Sequence, residues 1–148
     1  MNKKDIQTRE NSEKAIDILN KHEATQRIIQ MLDRQYLKIA KRQDRNITIL
    51  EQCDMLARIM EQKQQYLTDY LVVEKTLKHL TEFEVNILKR CFASAESSFK
   101  IAEELNMSIR TFFRRKHIIV KKFLRQYNIH KMLECNKDFI KKQEGGKN

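Results

Sequence analysis

The sequence predicts an all-α protein. Turn-forming residues are scarce, because the chain has no proline and its two glycines, Gly145 and Gly146, stand close to its C-terminal end. A β-rich fold needs many turns, and these two residue types are the ones that favour turns most strongly. Charged residues make up 34% of the chain and hydrophobic residues 41%, a balance typical of solvated amphipathic helices around a modest core.

The N-terminal half is organised around one apolar stripe. Residues 1–22 are interpreted as a polar lead-in, and residues 23–80 as a helical region for oligomerisation or other interactions. The stripe fails in KRQDRN, residues 41–46, so we expect a bend or short loop near Asp44–Asn46 and two helices that bury each other's apolar face. One long helix over 23–78, whose stripe only an oligomer such as a coiled coil would bury, is the alternative. The stripe consists of Ile29, Leu32, Tyr36, Ile39, Leu50, Cys53, Ala57, Met60, Leu67 and Leu71.

Two further helices are predicted before residue 93. One covers 68–80, where Thr68 or Asp69 can cap its start. The next begins at Thr81, because Glu84 follows three positions later in the capping-box pattern. Small polar residues at 93–98 indicate a turn. The inner face of the second helix is expected to contain Phe83 or Val85, then Ile87, Leu88, Cys91 and Phe92.

The segment SFKIAEELNMSIRTFFRRKHIIVKKFL, residues 98–124, has the pattern helix, tight turn, helix. Asn106 occupies a turn position that often requires positive φ, which Asn tolerates better than most residues. Ser108 is a good N-cap for a helix from Ile109 to Leu124. This pattern predicts a C-terminal helix-turn-helix domain over 81–131. Its first helix is expected to pack through Phe99, Ile101, Ala102 and Leu105, and the core of the motif to comprise Ala102, Leu105, Met107, Phe112 and Ile119.

Positive charge is concentrated in this C-terminal part. The net charge is +10, and residues 81–148 hold 15 Lys/Arg against 8 Asp/Glu, whereas residues 1–80 hold 15 against 12. Residues 105–133 contain eight Lys/Arg and no acidic residue. Such a block predicts a polyanionic partner, namely DNA, RNA or an anionic membrane, and a merely solvated basic face is the bland alternative.

The second helix of the motif supplies the predicted contacts to double-stranded DNA. A recognition helix reads base edges in the major groove with its N-terminal residues. Arg110 and Arg114, four residues apart, are predicted to bind guanine or phosphate, and Lys100 and Lys121 to contact the backbone. Phe113 is expected either in the core or against a thymine methyl group. The full predicted set is Lys100, Ser108, Arg110, Thr111, Phe113, Arg114, Arg115, His117, Lys121 and Lys122.

The run LTEFEVNILKRCFASAESSFKIAEELNMSIRTFFRRKHIIVKKFL resembles the region-four helix-turn-helix of bacterial sigma factors. It looks most like the ArpU/RinA group of phage late-gene transcriptional regulators, as does EATQRIIQMLDRQYLKIAKRQ upstream. The resemblance implies a phage or prophage activator of late genes that acts with host RNA polymerase in the bacterial cytoplasm, at the nucleoid. It also assigns Ser108, Arg110, Thr111, Arg114 and His117 to the DNA-reading helix. Asn106 departs from the Gly frequent in related motifs, and no segment resembling sigma region two is visible.

Other classes are less favoured. An oligomeric DNA-binding structural protein, such as a small phage packaging subunit, is the alternative function, and a homo-oligomer is expected in either case. RNA binding lacks an exposed aromatic platform, and a membrane-binding helix would need the apolar face that packs in the motif. No metal-ligand spacing joins the four histidines, so no enzyme, metal or cofactor is expected. Cys53 and Cys91 are expected in the core of a reduced protein, and residues 132–148 as a basic tail with a short helix and a disordered end at 141–148.

Overall fold

The computed structural model of the chain describes residues 2–42 and 46–145, with only the backbone described at 138–142 and 144–145. Every regular element within these ranges is helical, which confirms the all-α prediction. A π-helical turn, Lys89–Ala93, directly continues α3. The α-helices are α1 (Lys3–Ala40), α2 (Ile49–Lys78), α3 (Glu82–Leu88), α4 (Ser98–Glu104) and α5 (Ile109–Gly145).

The chain divides into two compact units. The first combines Met1–Lys21 with Val72–Asn148, and the second is His22–Leu71. Both α1 and α2 therefore contribute one end to each unit. Except for His22, the second unit lies within the predicted interaction region 23–80, and the predicted lead-in 1–22 almost coincides with the N-terminal part of the first unit.

The second unit is an antiparallel pair of helices. The ring of His22 stacks on the ring of Tyr70 at a centroid distance of 4.8 Å. The Asp33 carboxylate pairs with the Lys63 ammonium at 2.7 Å, and the Gln52 side-chain amide donates to the Ile39 carbonyl at 2.8 Å. Because early residues of α1 meet late residues of α2, the two segments run in opposite directions. The Ile39 carbonyl, at the end of α1, also accepts from the Arg42 amide at 3.1 Å, so the Gln52 bond is its second.

The break between these helices falls where the apolar stripe fails. Helix α1 ends at Ala40 and α2 begins at Ile49, and Asp44 itself lies outside the described residues. Thr48 caps α2, since its hydroxyl accepts from the Glu51 amide at 3.1 Å while the Glu51 carboxylate accepts from the Thr48 amide at 3.4 Å. This capping box was not predicted, although Thr48 and Glu51 have the same spacing as Thr81 and Glu84.

The predicted stripe is right in α1 and wrong in α2. Ile29 and Leu32 are buried as expected, but Leu50 is 73% exposed and Met60 50%. The buried apolar residue of this part of α2 is Ile59, one position before Met60. A shift of one residue turns a helix by about 100°, so the predicted stripe faces away from α1. The predicted α2 residues that are exposed are Leu50, Cys53, Ala57, Met60 and Leu71.

The core of the first unit is assembled from all five helices. Phe112 and Phe123 of α5 are 2% and 0% exposed, and Leu88 of α3 and Ile101 of α4 are also fully buried. Ala15 and Leu19 of α1 belong to the same cluster, as do Leu80, Ile87, Phe92, Ala102, Ile119 and Val120. Residues 3–20 are therefore helical, and Ala15 and Leu19 pack into this core, in contrast to the polar lead-in that the sequence predicts.

Three helix boundaries differ from the prediction. Helix α2 runs through Thr68 and Asp69 without a break, and no proline or glycine stands near them to end it. Helix α5 continues past Leu124 to Gly145, so the tail predicted at 132–148 is helical to Gly145 and lacks a separate short helix. No proline or glycine stands between Leu124 and Gly145 to end it. Residues 146–148 lie outside the described residues.

Candidate nucleic-acid interface

The connection between α4 and α5 has the bonds of a Schellman motif. Asn106 takes φ of 54°, the left-handed conformation predicted from its residue type. The Met107 amide donates to the Ala102 carbonyl at 2.9 Å, and the Asn106 amide donates to the Glu103 carbonyl at 3.1 Å. These two bonds satisfy carbonyls that the end of α4 would otherwise leave free. The turn is consequently fixed by backbone bonds, which sets the direction in which α5 leaves it.

The start of α5 is held by the hydroxyl of Ser108. This oxygen accepts from the Thr111 amide at 3.2 Å, which is the predicted N-cap bond. The Ser108 hydroxyl in turn donates to the Thr111 hydroxyl oxygen at 2.9 Å. The proton of Ser108 is thus used inside the cap, whereas the proton of the Thr111 hydroxyl can be donated outward to an anion.

Helix α5 has one apolar face and one basic face over its first four turns. Phe112, Ile119 and Phe123 are buried against the rest of the first unit, as is Val120. Four exposed basic residues follow one another at spacings of four, seven and four, which places them on one side of the helix. No carboxylate within the described part of the chain forms an ion pair with any of them. We call this set the basic ridge: Arg110, Arg114, Lys121 and Arg125.

Several predicted contact residues lie elsewhere or are already engaged. Lys122 is exposed, but its ammonium binds the Glu84 carboxylate of α3 at 2.9 Å. Burial raises the pKa of Glu84, and the Thr81 amide and Lys122 more than offset this, so that the net pKa is lowered. Lys122 therefore contributes less free charge to the surface than the sequence suggests. Lys100 and Arg115 are exposed.

Phe113 lies at the edge of the apolar face. Its ring is 47% exposed, and its centroid is 6.1 Å from that of Phe112. The ammonium of Lys116 lies 5.1 Å from the ring centroid of Phe92 and 5.8 Å from that of Phe113. This cation–π arrangement holds Lys116 over the two rings, so its position near the packing seam is structural.

His117 is half-buried, and its Nδ1 atom is buried without a hydrogen-bond partner. Burial lowers the pKa of His117, and the charges of Lys121 and Lys4 lower it further. The neutral ring is therefore favoured at neutral pH. By its position on α5, His117 shares a side with Arg110 and Arg114, but it is half-buried and the charge of Lys4 in α1 reaches it.

A partly buried network of ion pairs, which was not predicted from the sequence, connects α4 with the π-helical turn. The Arg90 guanidinium donates from Nε to Glu96 at 2.7 Å and also binds the carboxylate of Glu104. Its hydrogen bonds, first to Glu96 and then to Glu104, raise the pKa of Arg90 and keep it charged. Arg90 thus holds the residues before and at the end of α4. Its single positive charge offsets part of the negative charge of the two carboxylates.

The apolar residues predicted for the motif are largely inside. Ala102, Phe112 and Ile119 are buried, and Leu105 and Met107 are half-buried. Phe99 is an exception, because 68% of its surface is exposed although it was expected to share the inner face of α4. Its neighbour Ile101, two positions later, takes the inner position and is fully buried.

Nothing in the described ranges suggests a metal centre, since no group of three or more His, Cys, Asp or Glu side chains is placed to hold an ion. No helix there is long and apolar enough to cross a membrane. Comparison of the chain with protein-family models, with curated proteins and with solved structures finds no match.

Proposed function

We propose that this chain is a sequence-specific DNA-binding regulator of transcription, in which α4, the turn at Asn106 and α5 act as a helix-turn-helix. The observation that carries the proposal is the basic ridge, four exposed Lys/Arg residues on the side of α5 opposite its buried phenylalanines. A polyanion is the partner that such a surface favours. The Schellman turn and the Ser108 cap support it further, because they present the ridge in one fixed orientation.

The two ends of the basic ridge are proposed to have different roles, because the ridge is long. Arg110 and Arg125 are separated by about 22 Å along the helix axis, since each residue advances 1.5 Å. A straight helix can follow the curved major groove over only part of this length, and recognition helices contact base edges with their N-terminal residues. The residues nearest the start of α5, Arg110 and Arg114, are assigned to base edges, and Lys121 and Arg125 to backbone phosphates.

The resemblance to phage late-gene regulators extends the proposal to a gene class and a partner. On that basis the chain activates late genes of a phage or prophage together with bacterial RNA polymerase. Transcription from a template that carries the bound sequence, with purified polymerase and with or without the protein, tests this extension. A rise in transcript supports activation. Unchanged transcription overturns the extension but leaves DNA recognition standing.

Selection of bound fragments from random duplex DNA at near-physiological salt tests recognition itself. Such salt suppresses non-specific phosphate binding, which falls steeply as salt rises. Enrichment of one motif is the expected result. Arg114→Ala should then weaken binding to that motif by about 1–3 kcal/mol and to random DNA by less. Arg58→Ala, an exposed arginine of the second unit, is the matched control and should change neither.

A second candidate, an oligomeric structural protein that binds DNA, is favoured by the outward face of α2. Ile49 and Leu50 are 81% and 73% exposed there, and Met60 and Leu71 add to the same apolar surface. Homo-oligomerisation through this face fits both candidates, and the mass in solution separates a promoter-binding dimer from a ring. Leu50→Asp should lower the mass without loss of helicity, because Leu50 packs little within its own chain. An unchanged mass would remove this face from the proposal.

A further inference from the structure

The N-terminal part of α1 lies beside α5 in parallel orientation. Lys14 and Ile18 of α1 line one groove together with Tyr127 and Lys131 of α5. At the other end of this contact, Lys4 is close enough to His117 for its charge to act on the imidazole. Lys4 and Ile18 are fourteen residues apart, as are His117 and Lys131, so the two helices advance together. Ala15 and Leu19, both buried, fix this arrangement from the core side.

The first residues of α1 therefore stand level with the basic ridge. Lys3 and Lys4 open the helix and are exposed, and Lys4 lies near His117, which is four residues before Lys121. Asp5 is the one acidic residue of this first turn. The Asp5 amide donates to the side-chain oxygen of Asn2 at 2.9 Å, which closes the start of the helix. The next ion pair along α1 is Arg9 with Glu13, more than one turn further on.

We propose that Lys3 and Lys4 form a second phosphate-binding element, which contacts the backbone of the same duplex that α5 reads. The inference rests on the proposed function and adds to it a contact from the opposite end of the chain. The chemistry is that of ammonium groups on a flexible stem, which bind phosphate as point charges and carry no sequence information. A duplex seated along Arg114 and Lys121 would bring its flanking phosphates to the side of α5 on which Lys3 and Lys4 stand.

The double variant Lys3→Ala/Lys4→Ala tests the inference through the salt dependence of binding. Each phosphate contact adds about 0.9 to the slope of log K against log salt. Loss of both contacts should reduce this slope by about 1.8. The loss of each lysine should weaken binding about eightfold at ~0.1 M salt. The loss should be equal for the selected motif and for random duplex DNA. Circular dichroism should be unchanged, because alanine is a better helix former than lysine.

Lys38→Ala/Lys41→Ala is the matched control, since it removes two exposed lysines near the other end of the same helix and changes the net charge equally. It should leave the slope and the affinity close to wild type. Equal slopes for the two double variants would overturn the inference while leaving DNA recognition by α5 intact. A wild-type chain that fails to retain duplex DNA would overturn the proposed function, and this inference with it. A loss confined to the selected motif would also contradict it, because phosphate contacts do not discriminate sequence.

Discussion

Within residues 2–42 and 46–145, two residues with a Cβ atom occupy the left-handed region, and they give the sharpest test of the local structure around the proposed interface. Ala95, between the π-helical turn and α4, has φ of 50°, and Asn106, between α4 and α5, has φ of 54°. This region costs a residue with a Cβ roughly 1–2 kcal/mol, and glycine avoids that cost. Glycine in turn loses about 0.5–1 kcal/mol more conformational entropy on folding.

Ala95→Gly is therefore expected to stabilise the first unit by about 0.5–1 kcal/mol, the difference between these two effects. Asn106→Gly should change the free energy of unfolding by less, about 0.5 kcal/mol in either direction, since asparagine tolerates this region. Asn106→Ala should cost about 1 kcal/mol, because it keeps the Cβ and loses the polar side chain.

Urea unfolding followed by circular dichroism measures these differences, with Ala93→Gly as the control. Ala93 lies two residues before Ala95, within the π-helical turn, where a glycine should destabilise by about 0.5–1 kcal/mol. The opposite signs expected at 93 and 95 are the test. Destabilisation by glycine at both positions would show that Ala95 is not held in the left-handed region and would refute the reasoning.

Three further outcomes are expected. Phe112→Ala should lower the free energy of unfolding in urea by about 3–5 kcal/mol, because Phe112 is 2% exposed. Phe113→Ala should lower it far less, because Phe113 is half-exposed, and equal losses would contradict the assigned face of α5. The ring of His130 stacks on that of His79 at a centroid distance of 4.9 Å, and its pKa is lowered by burial and then by the charges of His79 and Lys75. Its contribution to the free energy of unfolding is therefore present above the ordinary pKa of about 6.5 and is lost as pH falls through the lower pKa of the folded state. His130→Gln should flatten the dependence of unfolding on pH in that acidic range, and an unaltered profile would exclude His130 as its source. Cys53 is exposed and should react with a thiol reagent in the native chain before Cys91, because burial raises the pKa of the Cys91 thiol. Mass analysis of the modified sites measures the order, and earlier modification of Cys91 would contradict this expectation.

Local chemistry was predictable from sequence where a few adjacent residues decide it. The Thr81 capping box has both of its bonds, Ser108 caps α5, and Asn106 takes the positive φ that its residue type suggested. These features depend on contacts within three or four residues. They do not depend on which other helix lies nearby, so a single segment contains the information needed to predict them.

Contacts between distant segments were not predictable in the same way. The apolar residues of α2 occur on two sides, and periodicity alone does not tell that Ile59 faces α1 while Met60 faces outward. Lys122 was counted as free charge because its partner, Glu84, is 38 residues away. The shared side of Arg110 and Arg114 could be predicted because it needs only the period of α5, whereas Arg125 was not in the predicted set.

The division of the chain explains why the predicted lead-in proved to be part of the core. Ala15 is fully buried, yet the core it joins is formed by residues from Leu80 onward. The second unit thus interrupts the first in sequence, and such an insertion requires that its two ends meet. The stacking of His22 on Tyr70 satisfies that requirement, because these residues lie at the two ends of the helical pair. We therefore expect residues 81–131 alone to be less stable than the full chain. A fragment that begins at residue 81 lacks Ala15 and Leu19, which belong to the same buried cluster as Phe112 and Phe123 of α5.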